Sequence, residues 1–71
     1  MTDNEKAELL LEGRFYDRFV KFTNHVGEEL YGRVDRIAID NSKTPHRAIV
    51  MIDMMRFEVD LERLEEHITL I

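Results

Sequence analysis

The chain has 71 residues, no cysteine, 44% hydrophobic residues and a formal net charge of -5. That length holds one domain and not two; disulfides and thiolate metal sites are excluded, and the overall sign opposes a non-specific nucleic-acid coat. A domain this small buries only about 60% of its unfolded surface, so without a staple its stability must come from tight packing or from a partner subunit.

In chain order, Asp3 or Asn4 is a plausible N-cap, with Glu5 and Glu8 placed to suit a helix N-terminus. Lys6 to Glu12 are good helix formers and Gly13 is a natural stop. The pattern predicts a helix over 4–12, with Leu10 and Leu11 facing a core. From Phe15 the period changes to alternation, which predicts a strand over 15–23. Leu11, Phe15, Phe19 and Phe22 also fit helical spacing, so a longer helix is the competing reading. Residues 24–28 read as a turn, with Gly27 in the left-handed conformation.

Leu30 to Asp40 alternates again, but the apolar set shifts from Leu30, Gly32 and Val34 to Ile37 and Ile39. A change of face near Asp35-Arg36 predicts a bulge in one long strand. Gly32 predicts tight coiling or a close neighbour. Residues 41–45 form a polar loop. Arg47 to Asp53 is apolar on both sides, as a central strand is. Met54-Met55 makes a short connection; Phe57, Val59 and Leu61 alternate with acids in a half-buried strand. Residues 61–66 suit one helical turn, and Ile68 to Ile71 a last short strand. The expected fold class is mainly β: a short N-terminal α-helix followed by a five-stranded, strongly bent small β-barrel, as a single domain over 1–71.

The charge is unevenly spread. Residues 13–52 hold seven Lys and Arg against five Asp and Glu, whereas 53–71 hold two against six. A local anion-binding face in the middle of the chain is therefore compatible with the acidic total. Asn41, Ser42, Lys43, His46 and Arg47 cluster there around one loop. Lys and Arg suit phosphates; Asn and His suit base edges. His67 is a further candidate contact. For each, the bland alternative is a solvated loop or an ordinary half-buried histidine. The methionines read first as core or interface filling, and Tyr16 and Tyr31 as rim packing.

His25, His46 and His67 lack metal-ligand spacing, and no nucleophile–base pair or Gly-rich phosphate loop is present. No catalytic residue, metal or cofactor is expected. No stretch approaches a membrane span, and the acidic start Met1-Thr2-Asp3-Asn4-Glu5 differs from the basic start of a signal peptide. A cytoplasmic location is expected.

Phe19-Val20-Lys21-Phe22-Thr23-Asn24, then Gly27-Glu28-Glu29-Leu30-Tyr31-Gly32-Arg33-Val34-Asp35-Arg36-Ile37, resembles the first motif of the Sm/LSm family, Hfq-like members included, over roughly residues 18–40. The preceding helix and the later strands follow the family in order. Ala38 stands where the family usually has an acid, and of a Tyr-Lys-His run only His67 is present. The resemblance implies a homo-oligomeric ring built by pairing the fourth strand of one subunit with the fifth of the next. It also implies that the loop with Asn41, Lys43, His46 and Arg47 lines a pore and contacts single-stranded nucleic acid, RNA before DNA. An SH3-like adaptor that binds a protein partner through its acidic C-terminal third is the alternative, and a structural subunit of a larger particle is a third.

Overall fold

A computed structural model describes residues 2–71; Met1, the first residue of the expected domain, lies outside the described residues. Helix α1 spans Asp3–Phe15. Its N-cap is Thr2, whose hydroxyl oxygen accepts the Glu5 N–H at 3.2 Å. The helix therefore begins one residue earlier than the pattern suggests, and it continues through Gly13. An interior glycine costs about 1 kcal/mol relative to alanine. That cost is offset because the extra turn carries Phe15 into the core, where it is 2% exposed. Glu8, Leu11 and Phe15 recur at spacings of three and four, so they share a face. Leu11 packs on the core, and Glu8 accepts the Ile39 N–H at 2.7 Å. Leu10 lies off that stripe and is 71% exposed, so the expectation that it faces the core is overturned.

Because the helix claims Phe15, the first strand is shorter than expected: β1 is Phe19–Thr23. Asp17 makes the corner with φ 57°. Strand β2 is Glu29–Asp40 and is twelve residues long. Its first half pairs with β1 and its second half with β3, Arg47–Ile52, with the register shifting between Val34 and Arg36. The bulge thus sits at the change of apolar face, turning Val34 and then Ile37 and Ile39 inward. Gly32 is required by a close approach: a Cβ there would clash with Asp53 Oδ2 and lie 2.8 Å from Ile52 Cγ2.

β3 is an interior strand with a neighbour on each side, as its two apolar sides imply, and pairs on its far side with β4, Met55–Asp60. Asp53 and Met54 turn that hairpin with φ 48° and 68°, the left-handed pair that a two-residue hairpin needs. The predicted helical turn is a 3-10 turn, Leu61–Arg63, followed by the short helix α2, Leu64–His67. Strand β5, Ile68–Leu70, then returns alongside β1.

The five strands form one antiparallel sheet in the order β4-β3-β2-β1-β5. Phe22 on β1 and Phe57 on β4 have ring centroids 4.7 Å apart, although two strands separate them. A flat sheet would hold them roughly 14 Å apart, so the sheet curls back on itself around Phe22, Val34, Ile37, Val50 and Ile52. The mainly β fold with an N-terminal helix is as expected. Closure is not: β4 and β5 stand at the two ends of the order and do not pair. β5 is three residues long and pairs along one edge with β1, which leaves its other edge open. No helix among the described residues is long and apolar enough to cross a membrane.

Candidate binding faces

The polar loop 41–46 joins β2 to β3 and is exposed. Asp40 organises its start by accepting the Ser42 N–H at 3.0 Å and the Ser42 hydroxyl at 2.5 Å. Those two bonds hold the Asp40 carboxyl below its ordinary pKa. His46 is exposed, and its backbone carbonyl accepts the Leu61 N–H at 2.9 Å, which ties the loop to the 3-10 turn. Asn41 is exposed beside it.

The two cations of this loop already have partners. Lys43 Nζ lies 2.9 Å from Glu58 Oε1, and Arg47 Nε lies 3.3 Å from the same oxygen. Arg47 also pairs with Asp60 and donates to the Glu58 carbonyl. Arg56 reaches the other Glu58 oxygen at 3.7 Å. Glu58 is pulled below its ordinary pKa, first by the Lys43 hydrogen bond and then by the Lys43 and Arg47 charges. The cause is register. Arg47 pairs with Asp60 across the β3–β4 ladder and Glu58 with Ile49, so the two acids project on the outer face beside Arg47. Lys43 and Arg47 are therefore brought together, but around an acid.

His67 is placed elsewhere. Its Nδ1 donates to the Thr23 carbonyl at 2.7 Å, and its ring lies near Phe22 and edge-on to His25, with the His25 centroid at 5.2 Å. Thr23 and the loop start at Asp40 stand at opposite ends of β2. The structure thus separates His67 from Asn41, Lys43, His46 and Arg47.

A second concave region has no single signature in the sequence. A groove of about 200 Å³ opens between the β1–β2 hairpin and the free edge of β4. Phe22, Leu30, Met55 and Phe57 supply its apolar walls, and Asn24, Glu28 and Glu29 its polar rim. The hairpin is held rigid by Asn24, whose Oδ1 accepts the Val26 and Glu28 N–H groups and whose Nδ2 donates to Glu28. Gly27 completes it at φ 86°. Its parts are legible as Phe22 and Phe57 in strand patterns and Glu28-Glu29 in a turn, but only the curl of the sheet makes them neighbours.

Apolar side chains also flank both open edges: Met55 on β4 is 48% exposed and Leu70 on β5 is 45% exposed. No family model, no curated protein and no solved structure matches this chain.

Proposed function

We propose that this chain is a non-catalytic, cytoplasmic binding protein of the Sm-like kind, which assembles head to tail into a ring and holds single-stranded nucleic acid, RNA before DNA, on its 41–47 loops. The observation that carries this reading is the pair of open edges, β4 and β5, at the two ends of one curled sheet. Each edge presents unpaired backbone donors and acceptors, a template for another strand. Adding β5 of one copy to β4 of the next satisfies both rows and removes Met55 and Leu70 from water. Such a contact is heterologous, and it closes into a ring when the rotation per subunit divides a full turn without a rise along the axis.

Nucleic acid would be held weakly by each loop, because Lys43 and Arg47 share Glu58. A ring offsets this by multiplying the loop through avidity. A second reading, the protein-binding adaptor, is favoured by the acid-rimmed groove and by the pairing of those same cations.

The assembly test is light-scattering mass of the parent and of Leu70→Pro. The Ile71 N–H donates inward to the Phe19 carbonyl at 3.2 Å. Strand alternation therefore turns the Leu70 N–H outward, so proline at 70 removes only an outer donor. An oligomeric parent and a folded monomeric Leu70→Pro are expected. Deleting residues 68–71 should also abolish assembly. A monomeric parent, or a Leu70→Pro variant with the parent's mass, would remove the edge interface.

A further inference from the structure

We propose that the groove between the β1–β2 hairpin and β4 docks an extended segment of a partner protein, seating one of its apolar side chains over the Phe22–Phe57 pair and a neighbouring Lys or Arg against Glu28. This rests on the adaptor reading and competes with the ring for the edge of β4.

Three features select that occupant. The floor is apolar and shaped by rings in contact, with Phe22 and Phe57 4.7 Å apart and Leu30 and Met55 beside them. About 200 Å³ admits one or two apolar side chains, not a folded domain. The wall formed by Met55 and Phe57 belongs to an edge strand, whose free N–H and C=O groups favour an extended backbone laid beside it.

The rim then sets the charge. None of the groove's lining residues is basic, and two are carboxylates. Among the described residues the Glu28 carboxylate is met only by the neutral Asn24 amide. Glu29 alternates with Leu30 and meets the Tyr31 hydroxyl and, at 3.7 Å, Lys21 on the outer face, so Glu28 is the acid left to a bound cation. A chain of net charge -5 also attracts a basic segment over distance and repels a phosphate backbone.

A second copy of this chain answers the groove less well. Its open strand, Ile68-Thr69-Leu70-Ile71, supplies apolar side chains but no cation, and Glu65-Glu66 precede it. Its arrival would leave Glu28 uncompensated.

The test is fluorescence anisotropy on the full chain with dye-labelled decapeptides: six residues of alternating valine and threonine, flanked at both ends by paired lysines, paired glutamates or paired serines. The lysine peptide should bind about tenfold or more tightly than the glutamate peptide at low salt, with the difference shrinking as salt rises. Glu28→Gln should weaken the lysine peptide by about tenfold and leave the circular dichroism spectrum unchanged, because glutamine keeps the acceptor that Asn24 uses. Phe57→Ser should weaken all three peptides. Equal binding of the lysine and glutamate peptides, or no binding at low salt, would overturn the proposal. The same titration on Leu70→Pro separates the two readings. If the lysine peptide binds only that variant while the parent is oligomeric, a second copy fills the groove, and the partner-segment proposal falls while assembly stands. If it binds both alike, the docking site stands whatever the parent's mass.

Discussion

The 41–47 loop and the groove at the β1–β2 hairpin lie at opposite ends of β2 and have opposite electrostatics. The loop carries the cations, yet Lys43 and Arg47 converge on Glu58, with Asp60 beside them, so the face is nearly neutral. The groove carries carboxylates with no cation in its lining, over an apolar floor. A residue's charge in the sequence is therefore a poor guide to the field it presents. What decides the field is which side chain the ladder places across from it, and here β4 delivers acids to the loop and apolar side chains to the groove.

The strongest way to break the contrast is Phe22→Ala. Phe22 is fully buried and forms both the core and the groove floor, so its truncation is expected to cost about 3–5 kcal/mol. Chemical denaturation would show the loss as a lower midpoint. The groove should go with it, while the ion pairs around Glu58 should persist in whatever fraction stays folded. A midpoint within error of the parent would mean that Phe22 is not the joint between the two ends of the sheet.

Glu58→Gln sharpens the contrast from the other side. Lys43 and Arg47 would lose their shared acid, and the loop would become a net cation. Affinity for a short uridine-rich RNA should rise, and each additional phosphate neutralised should steepen the slope of log affinity against log salt by about 0.7. The combined Lys43→Ala and Arg47→Ala variant should abolish whatever binding the parent has. RNA affinity that ignores all three changes would remove the loop as a nucleic-acid face.

A pH series isolates the same cluster. Glu58 has a lower pKa folded than unfolded, so its contribution to stability is fully present above the ordinary glutamate range. It is lost as pH falls through the depressed folded value. The difference in melting temperature between parent and Glu58→Gln should therefore shrink on acidification, and a gap that stays constant would show that packing, not charge, separates the two proteins. The smallest effect is expected at Leu10→Ala, within about 0.5 kcal/mol, because the side chain stands in water. A larger loss would point to Leu10 being covered in an assembly.

Much of the fold is legible locally. The bulge at Asp35, the Gly27 turn, the interior position of β3 and the helical turn before β5 follow from alternation, apolar runs and turn chemistry. The first boundary is not legible, because Phe15 fits helix and strand alike; the core decides it by taking Phe15 from the end of α1. Gly13 signals a stop that a buried aromatic two residues later overrides. Leu10 and Leu11 are indistinguishable by type, and only the docking angle of α1 exposes one and packs the other.

By itself, the sequence determined the class of the molecule: a small, acidic chain without cysteine, made of a helix and five strands whose order and turns are written in periods of 3.6 and 2. Those periods are local, since each residue's neighbours along the chain set its preferred dihedrals and face. The tertiary structure alone decided what the faces present. Cross-strand register set Glu58 against Lys43 and Arg47, the curl of the sheet brought Phe22 to Phe57, and the return of β5 to β1 left two edges open. These pairings join residues distant in sequence, and no local preference encodes them; they follow from burying one common core.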